Sequence, residues 1–237
     1  MDELKAEFEE IRNIAVKRTR ERKLQDFQKK LSTLTFLDPA CGSGNFLTET
    51  YLSLRRLENE ILQELQGGQM VLGYDNMNPI QVSISQFYGI EINDFAVTVA
   101  KTALWIAESQ MMKETESIVL MHLDFLPLKT NAFIHEGNAL QVDWESVIPK
   151  YQRSYIMGNP PFVARAGRTK AKDSSSKGML DDTQKTDRLN VFGEDLGNVD
   201  YVACWFKKAA VFTKNTAIRC AFVATDSICQ GQQIYPI

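Results

Sequence analysis

The sequence has few of the residues that hold metal ions. It contains two histidines, His122 and His135, and four cysteines, Cys41, Cys204, Cys220 and Cys229, none in a C-x-x-C pair. No zinc-ligand spacing results, so no metal is expected and the cysteines read as reduced packing residues. Cys41 has nothing basic beside it in sequence to activate its thiol. The charged N-terminus, MDELKAEFEEIRNIAVKRTRERK, lacks the apolar core of a signal peptide, and no run approaches the length of a membrane span. A cytoplasmic location is therefore expected. Neither sign of charge dominates: the net charge is −3 and the pI about 5.6. That excludes a surface wholly devoted to gripping nucleic acid and leaves local basic patches open. Internal repeats are absent too. With 44% hydrophobic and 24% charged residues, the 237-residue chain is not disordered throughout.

What is present is an alternation of two hydrophobic periods. Residues 3–31 place Leu4, Phe8, Ile11, Ala15, Leu24, Phe27 and Leu31 at three- and four-residue steps, which predicts an amphipathic helix or helix pair. The short apolar run LTFLD (34–38) predicts a first strand, and NFLTETYLSLRRLENEILQELQ (45–66) a helix that Gly67 and Gly68 end. FYGIEI (87–92) reads as a second strand and DFAVTVAKTALWIAESQMM (94–112) as a second helix of this alternation. AFIHEG (132–137), SYIMG (154–158) and IRCAFVA (218–224) supply three further strands, and residues 198–214 a helix with Tyr201, Trp205 and Ala209 near one face. Strands alternating with helices predict an α/β fold with a parallel sheet. Trp105 and Trp205 read as core residues. Residues 163–197 break the rhythm: they are polar, with more basic than acidic side chains, and read as a mobile loop or lid whose Arg165, Arg168, Lys170 and Lys172 could touch phosphates.

Three short motifs stand at predicted strand ends. DPACGSGNF (38–46) follows the first strand and opens a helix; its Gly42 and Gly44 let backbone approach a ligand closely. It lacks the G-x-x-x-x-G-K of a triphosphate loop and the third glycine of a dinucleotide loop. Glu91 ends the second strand, where a carboxylate can accept hydrogen bonds from both hydroxyls of a ribose. Alone, each of these motifs reads as a turn or a surface carboxylate; together they favour a nucleoside cofactor. NPPF (159–162) follows the fourth strand, and its prolines stiffen a loop at the end of the sheet where ligands bind.

DPACGSGNF, a strand ending in Glu91 and NPPF, in that order, resemble the gamma arrangement of the amino-group DNA methyltransferases that use S-adenosylmethionine, of the N6-adenine type. Across about residues 24–233, FYGIEINDFAVTVAKTALWIAESQM, YIMGNPPF, VDYVACWFKKAA and AFVATDSICQGQQ are similar to single-polypeptide type II restriction-modification enzymes of the MmeI-like family. The resemblance implies a Rossmann-like methyltransferase sheet with helices on both faces, truncated at its C-terminal side. It implies a helical connector at 1–32 and a catalytic core at 33–237. In that family a nuclease domain precedes the methyltransferase and a target-recognition domain follows it. No P-D…E-x-K nuclease pattern occurs here, so the chain is expected to be a fragment or a truncated relative.

Carried over by position, the cofactor loop falls on Asp38, Pro39, Ala40, Cys41, Gly42, Ser43, Gly44, Asn45 and Phe46, with Asp38 near the cofactor's amino group through the loop. Glu91 takes the ribose hydroxyls and Ile92 packs on the cofactor's adenine. Asn138, with Ala139 beside it, contacts the adenine amine; Asp124 is the rival for that contact. Asn159, Pro160, Pro161 and Phe162 form the catalytic motif, acting on a flipped adenine of double-stranded DNA. Three alternatives stay open. Protein-glutamine N5-methyltransferases share N-P-P-Y, N4-cytosine enzymes usually have Ser where Asn159 stands, and a truncated chain is also consistent with a non-catalytic remnant that binds cofactor or DNA.

Overall fold

The computed structural model describes residues 1–66, 79–120, 122–123, 131–148, 155–163, 180–193 and 199–229. Gly67, Gly68, Asp124 and the basic residues 165–172 of the expected lid lie outside them.

Five strands form one parallel sheet in the order β3-β2-β1-β4-β5: β1 Phe36–Asp38, β2 Phe87–Glu91, β3 Phe133–Glu136, β4 Tyr155–Gly158 and β5 Arg219–Phe222. All five fall on runs read from sequence as strands. Successive side chains point to opposite faces of a strand. Phe36 thus faces one layer and Leu37 the other.

On the first face three rings stand side by side, with Phe36 5.1 Å from Phe87 and 5.3 Å from Tyr155, and both pairs in register. Tyr51 of helix α3 (Asn45–Gln66) meets Phe87 edge-on. Helix α4 (Asp94–Val119) packs against α3 over Leu104, Ala107 and Met111. It runs seven residues past the expected end at 112 and stops where Leu120 adopts a left-handed conformation with φ 55°. The N-terminal helices α1 (Asp2–Arg12) and α2 (Lys17–Thr33) bury Leu4, Phe8, Leu24, Phe27 and Leu31 in this same layer.

A buried polar cluster fastens α2 to α3 and α4. Glu58 accepts from Gln28 Nε2 (2.9 Å) and the backbone N–H groups of Gln81 (2.6 Å) and Val82 (3.2 Å), and pairs with Arg55, whose guanidinium also donates to Thr115 (2.7 Å). A buried ion pair is tolerable only when its remaining lone pairs and protons are also satisfied, and here most of them are.

The second face carries Leu37, Ile90 and Ile156. Helix α7 (Ala203–Thr213) covers it with Cys204, Trp205 and Ala209, together with Trp144 of the short helix α5 (Trp144–Val147). Between β4 and α7 lies α6, Asp182–Phe192, inside the segment read from sequence as a loop. For these residues that reading is corrected: Asp181 caps the helix by accepting from Gln184 N (2.7 Å) while Gln184 Oε1 accepts from Asp181 N (3.1 Å). The helix buries only Asp187 and Phe192, too little apolar surface for a periodic signal. Among the described residues, no helix is long and apolar enough to cross a membrane.

Candidate functional site

The carboxyl ends of β1, β2 and β4 meet beneath the DPACG turn. Asp38 ends β1, is 1% exposed, and its Oδ1 accepts from Ala40 N at 3.0 Å. It lies where a side chain of Gly158 would be: a Cβ at Gly158 would fall 2.4 Å from Asp38 Oδ1. Burial pushes the Asp38 carboxyl up to about 7, against the Ala40 N–H bond and with help from the nearby charge of Glu91.

The turn then crosses over β2, with Cys41 N donating to Ile90 O at 3.2 Å. The Cys41 thiol fills the space left by Gly89, where a Cβ would come within 2.7 Å of the sulfur. Burial raises the pKa of this thiol, which makes it a packing group. Gly42 has φ +53° and Gly44 +82°, and a Cβ on Gly44 would meet Ala100 of α4 at 3.0 Å. Glycine is thus required at 44 on both counts.

Glu91 clamps this turn from the end of β2. Its Oε2 accepts from Gly42 N at 2.9 Å and its Oε1 from Asn93 N at 3.0 Å. Each carboxylate oxygen retains a second lone pair for a ligand.

A cleft of about 370 Å³ opens beside the turn. Among the residues singled out from sequence it is lined by Pro39, Ala40, Glu91, Ile92, Asn138, Ala139, Asn159 and Pro161. Asp38 and Cys41 lie buried below it, and Gly42, Ser43, Gly44, Asn45, Phe46, Pro160 and Phe162 do not line it. Phe162 is 44% exposed and Phe46 40% exposed.

The cleft also draws in residues the sequence reading did not assign to a site. Asp181, Thr183, Gln184 and Asp187 come from α6, and Tyr201 and Trp205 from α7 and the turn before it. Trp205 is a core residue, as expected, yet its indole N–H also donates to Pro39 O at 3.1 Å. Asp187 is 1% exposed and accepts from Asn138 Nδ2 (2.7 Å), Gln141 Nε2 (2.8 Å) and the Tyr201 hydroxyl (3.1 Å). Lys208 of α7 donates to the carbonyls of Ala139 (2.8 Å), Leu140 (3.0 Å) and Val142 (2.7 Å), with its ammonium 5.6 Å from the centre of the Trp144 ring. The turn that carries Asn138 is thus held from two helices. The D-D-T-Q start of α6 was a legible helix signal; nothing in the sequence marks Asp187 or Lys208.

The site consists of hydrogen-bond acceptors around a partly apolar cleft at the carboxyl ends of parallel strands, the position where open α/β sheets bind ligands. Comparison with known proteins identifies the family of the chain. A family model described as MmeI, DNA-methyltransferase domain, matches residues 14–237. The DNA methyltransferase A of Bacillus subtilis (strain 168) is 39% identical over 217 residues, 90% of this chain and 23% of that protein. The solved structure of the type IIL restriction-modification enzyme MmeI in complex with DNA matches with a TM-score of 0.84 and 43% identity, over 98% of this chain and 29% of that one. The adenine-specific methyltransferase PglX of Streptomyces coelicolor is 32% identical over 74 residues, 31% of this chain and 5% of that protein. The chain therefore spans less than a third of the length of these relatives.

Proposed function

Because this chain belongs to the MmeI DNA-methyltransferase domain family, we propose that it transfers a methyl group from S-adenosylmethionine to the N6 amine of adenine in DNA, as part of a restriction-modification enzyme. The observation that carries the reading is the convergence of Glu91, Asn138, Asn159 and Pro161 on one cleft. The adenine-specific relative PglX supports the choice of base.

The residues present fit the cofactor. Glu91 has lone pairs left for two ribose hydroxyls, and Ile92, 67% exposed beside it, offers an apolar surface for a purine. Asn138 supplies an acceptor for the purine amine, and the Asp38 carboxyl under the turn, accepting from Ala40 N, shapes the loop that would lie near the cofactor's amino group. When bound, S-adenosylmethionine supplies an electrophilic methyl on its sulfonium.

The chain's own task is to prepare the nucleophile. The N6 lone pair of adenine is delocalised into the ring, so the amine attacks poorly. The Asn159 side-chain oxygen and the Pro160 carbonyl can each accept one N6 hydrogen, which turns the lone pair out of the ring plane. Pro160 is buried and both prolines restrict their backbone, so the Pro160 carbonyl is held before substrate arrives. Phe162 lies exposed at the end of the motif, available to stack on a base flipped from the duplex. The DNA contacts outside this cleft and the nuclease and recognition functions belong, on this reading, to other parts of the parent enzyme.

The test has two stages. Titration with S-adenosylhomocysteine should show one saturable site, weakened in Glu91→Ala; no binding by the folded chain would overturn the cofactor reading. Incubation with DNA and methyl-labelled cofactor, followed by nucleoside analysis, should then give N6-methyladenine. Label in N4-methylcytosine or in protein glutamine would overturn the choice of substrate.

A further inference from the structure

Asn138 has a side chain with two unlike ends, an acceptor oxygen and a donor nitrogen, and its use depends on which end faces a ligand. Both ends are already engaged. The oxygen accepts from Leu140 N at 2.9 Å, and the nitrogen donates to Asp187 Oδ2 at 2.7 Å. A carboxylate opposite can only accept, and a backbone N–H opposite can only donate, so the two partners fix the same orientation independently. Asp187 is itself fixed, because Gln141 and Tyr201 donate to it and only 1% of it is exposed.

We infer that Asp187 is the positioning residue that sets the purine specificity of this cleft, by fixing the Asn138 amide so that its oxygen edge is the one offered to a ligand. The inference rests on the cofactor reading above and deepens it. The amide nitrogen keeps a second N–H, but with the side chain's orientation fixed the oxygen edge presents a free lone pair, and at that edge Asn138 acts as an acceptor. Such an acceptor pairs with the exocyclic amine of adenine and faces a carbonyl oxygen in hypoxanthine, which it rejects. An Asp at position 138 would serve as an acceptor equally well, but not beside the carboxylate of Asp187, since two carboxylates at that separation repel and cannot both ionise freely.

The pairing is therefore reciprocal, and exchange of the two residues is its test. The wild-type chain, Asn138→Asp, Asp187→Asn and the double exchange are titrated with S-adenosylhomocysteine and with S-inosylhomocysteine, with folding checked by circular dichroism. The wild-type chain should prefer the adenine ligand by about tenfold or more. Asn138→Asp should lose about tenfold in affinity for it, and the double exchange should recover to within about threefold of wild type with its preference restored. A merely structural Asp187 would give additive losses instead. Wild-type affinity in Asn138→Asp, or a double exchange no better than Asn138→Asp, overturns the inference while leaving the cofactor reading intact. Failure of the wild-type chain to bind S-adenosylhomocysteine overturns the reading itself, and the inference with it.

Discussion

The indole N–H of Trp205 donates to the backbone carbonyl of Pro39 at 3.1 Å, across 166 positions of sequence. A helix from late in the chain thereby holds the turn that follows the first strand. Trp205→Phe keeps most of the ring packing and removes the donor, leaving a buried carbonyl without its partner. Stability should fall by about 1–2 kcal/mol, and S-adenosylhomocysteine affinity should fall several-fold with it. Chemical denaturation and calorimetry on the same preparation would check both; unchanged affinity would show that the turn needs no such tie.

Gly158→Ala should be severely destabilising, because the new Cβ would fall 2.4 Å from Asp38 Oδ1 in a packed interior. We expect a loss of about 3 kcal/mol or more. The paired variant Asp38→Ala/Gly158→Ala should be more stable than the sum of the single losses, since removing the carboxylate vacates the space. Additive losses in urea denaturation would contradict the steric account.

Asp38 makes stability depend on pH in a particular sense. Its carboxyl is raised by burial from 3.8 to about 7, so in the folded state it keeps a proton that the unfolded chain releases. Its contribution is present in full below about pH 3.8 and is lost as pH rises through about 7, with a slope of at most about 1.4 kcal/mol per pH unit. Asp38→Asn should abolish that slope. Denaturation midpoints of the two chains across this window would decide; parallel curves would mean Asp38 folds with an ordinary carboxyl.

Lys208→Met should loosen the turn that carries Asn138. Three carbonyls lose a shared donor at once, which should cost about 2–3 kcal/mol. Lys208→Arg should rescue poorly, because a flat guanidinium cannot present three converging N–H groups as an ammonium does. Equal stability of the lysine and arginine chains in thermal melts would count against the three-carbonyl geometry as a source of stability.

Phe162→Ala should behave differently from all of these. The ring is 44% exposed, so its removal should change stability by less than about 1 kcal/mol, while methyl transfer, on the proposed reading, falls about tenfold or more through lost base stacking. A parallel fall in stability would mean the ring serves packing.

Most of the fold was legible because the central strands of a parallel sheet are buried on both faces and write themselves as short apolar runs. Phe36–Asp38, Phe87–Glu91 and Tyr155–Gly158 are examples, and α3 followed from its helical period with its bounds intact. Helix α6 did not follow, since it rests on a capping box and one buried carboxylate in place of an apolar stripe. Of the site, the strand-end motifs converge because parallel strands all finish on the same side. What sequence could not reveal is the layer that holds them: the Asp187 contact with Asn138 spans 49 positions and the Lys208 contact with Ala139 spans 69, and neither leaves a local pattern.

The row formed by Phe87, Phe36 and Tyr155 gives the sheet a common baseline, since all three stand at the same level of adjacent strands. Counting upward at about 3.3 Å per residue, Asp38 stands about 7 Å above that line, Gly158 about 10 Å and Glu91 about 13 Å. The strand ends thus form a staircase, and the height of each step is set at the far end of the strand by which aromatic lies beside which. Glu91 reaches over the turn to Gly42 because it occupies the tallest step. A slip of one residue in any strand would turn its ring to the opposite face. The alignment of the acceptors around the cleft is therefore written into three aromatic side chains that come nowhere near it.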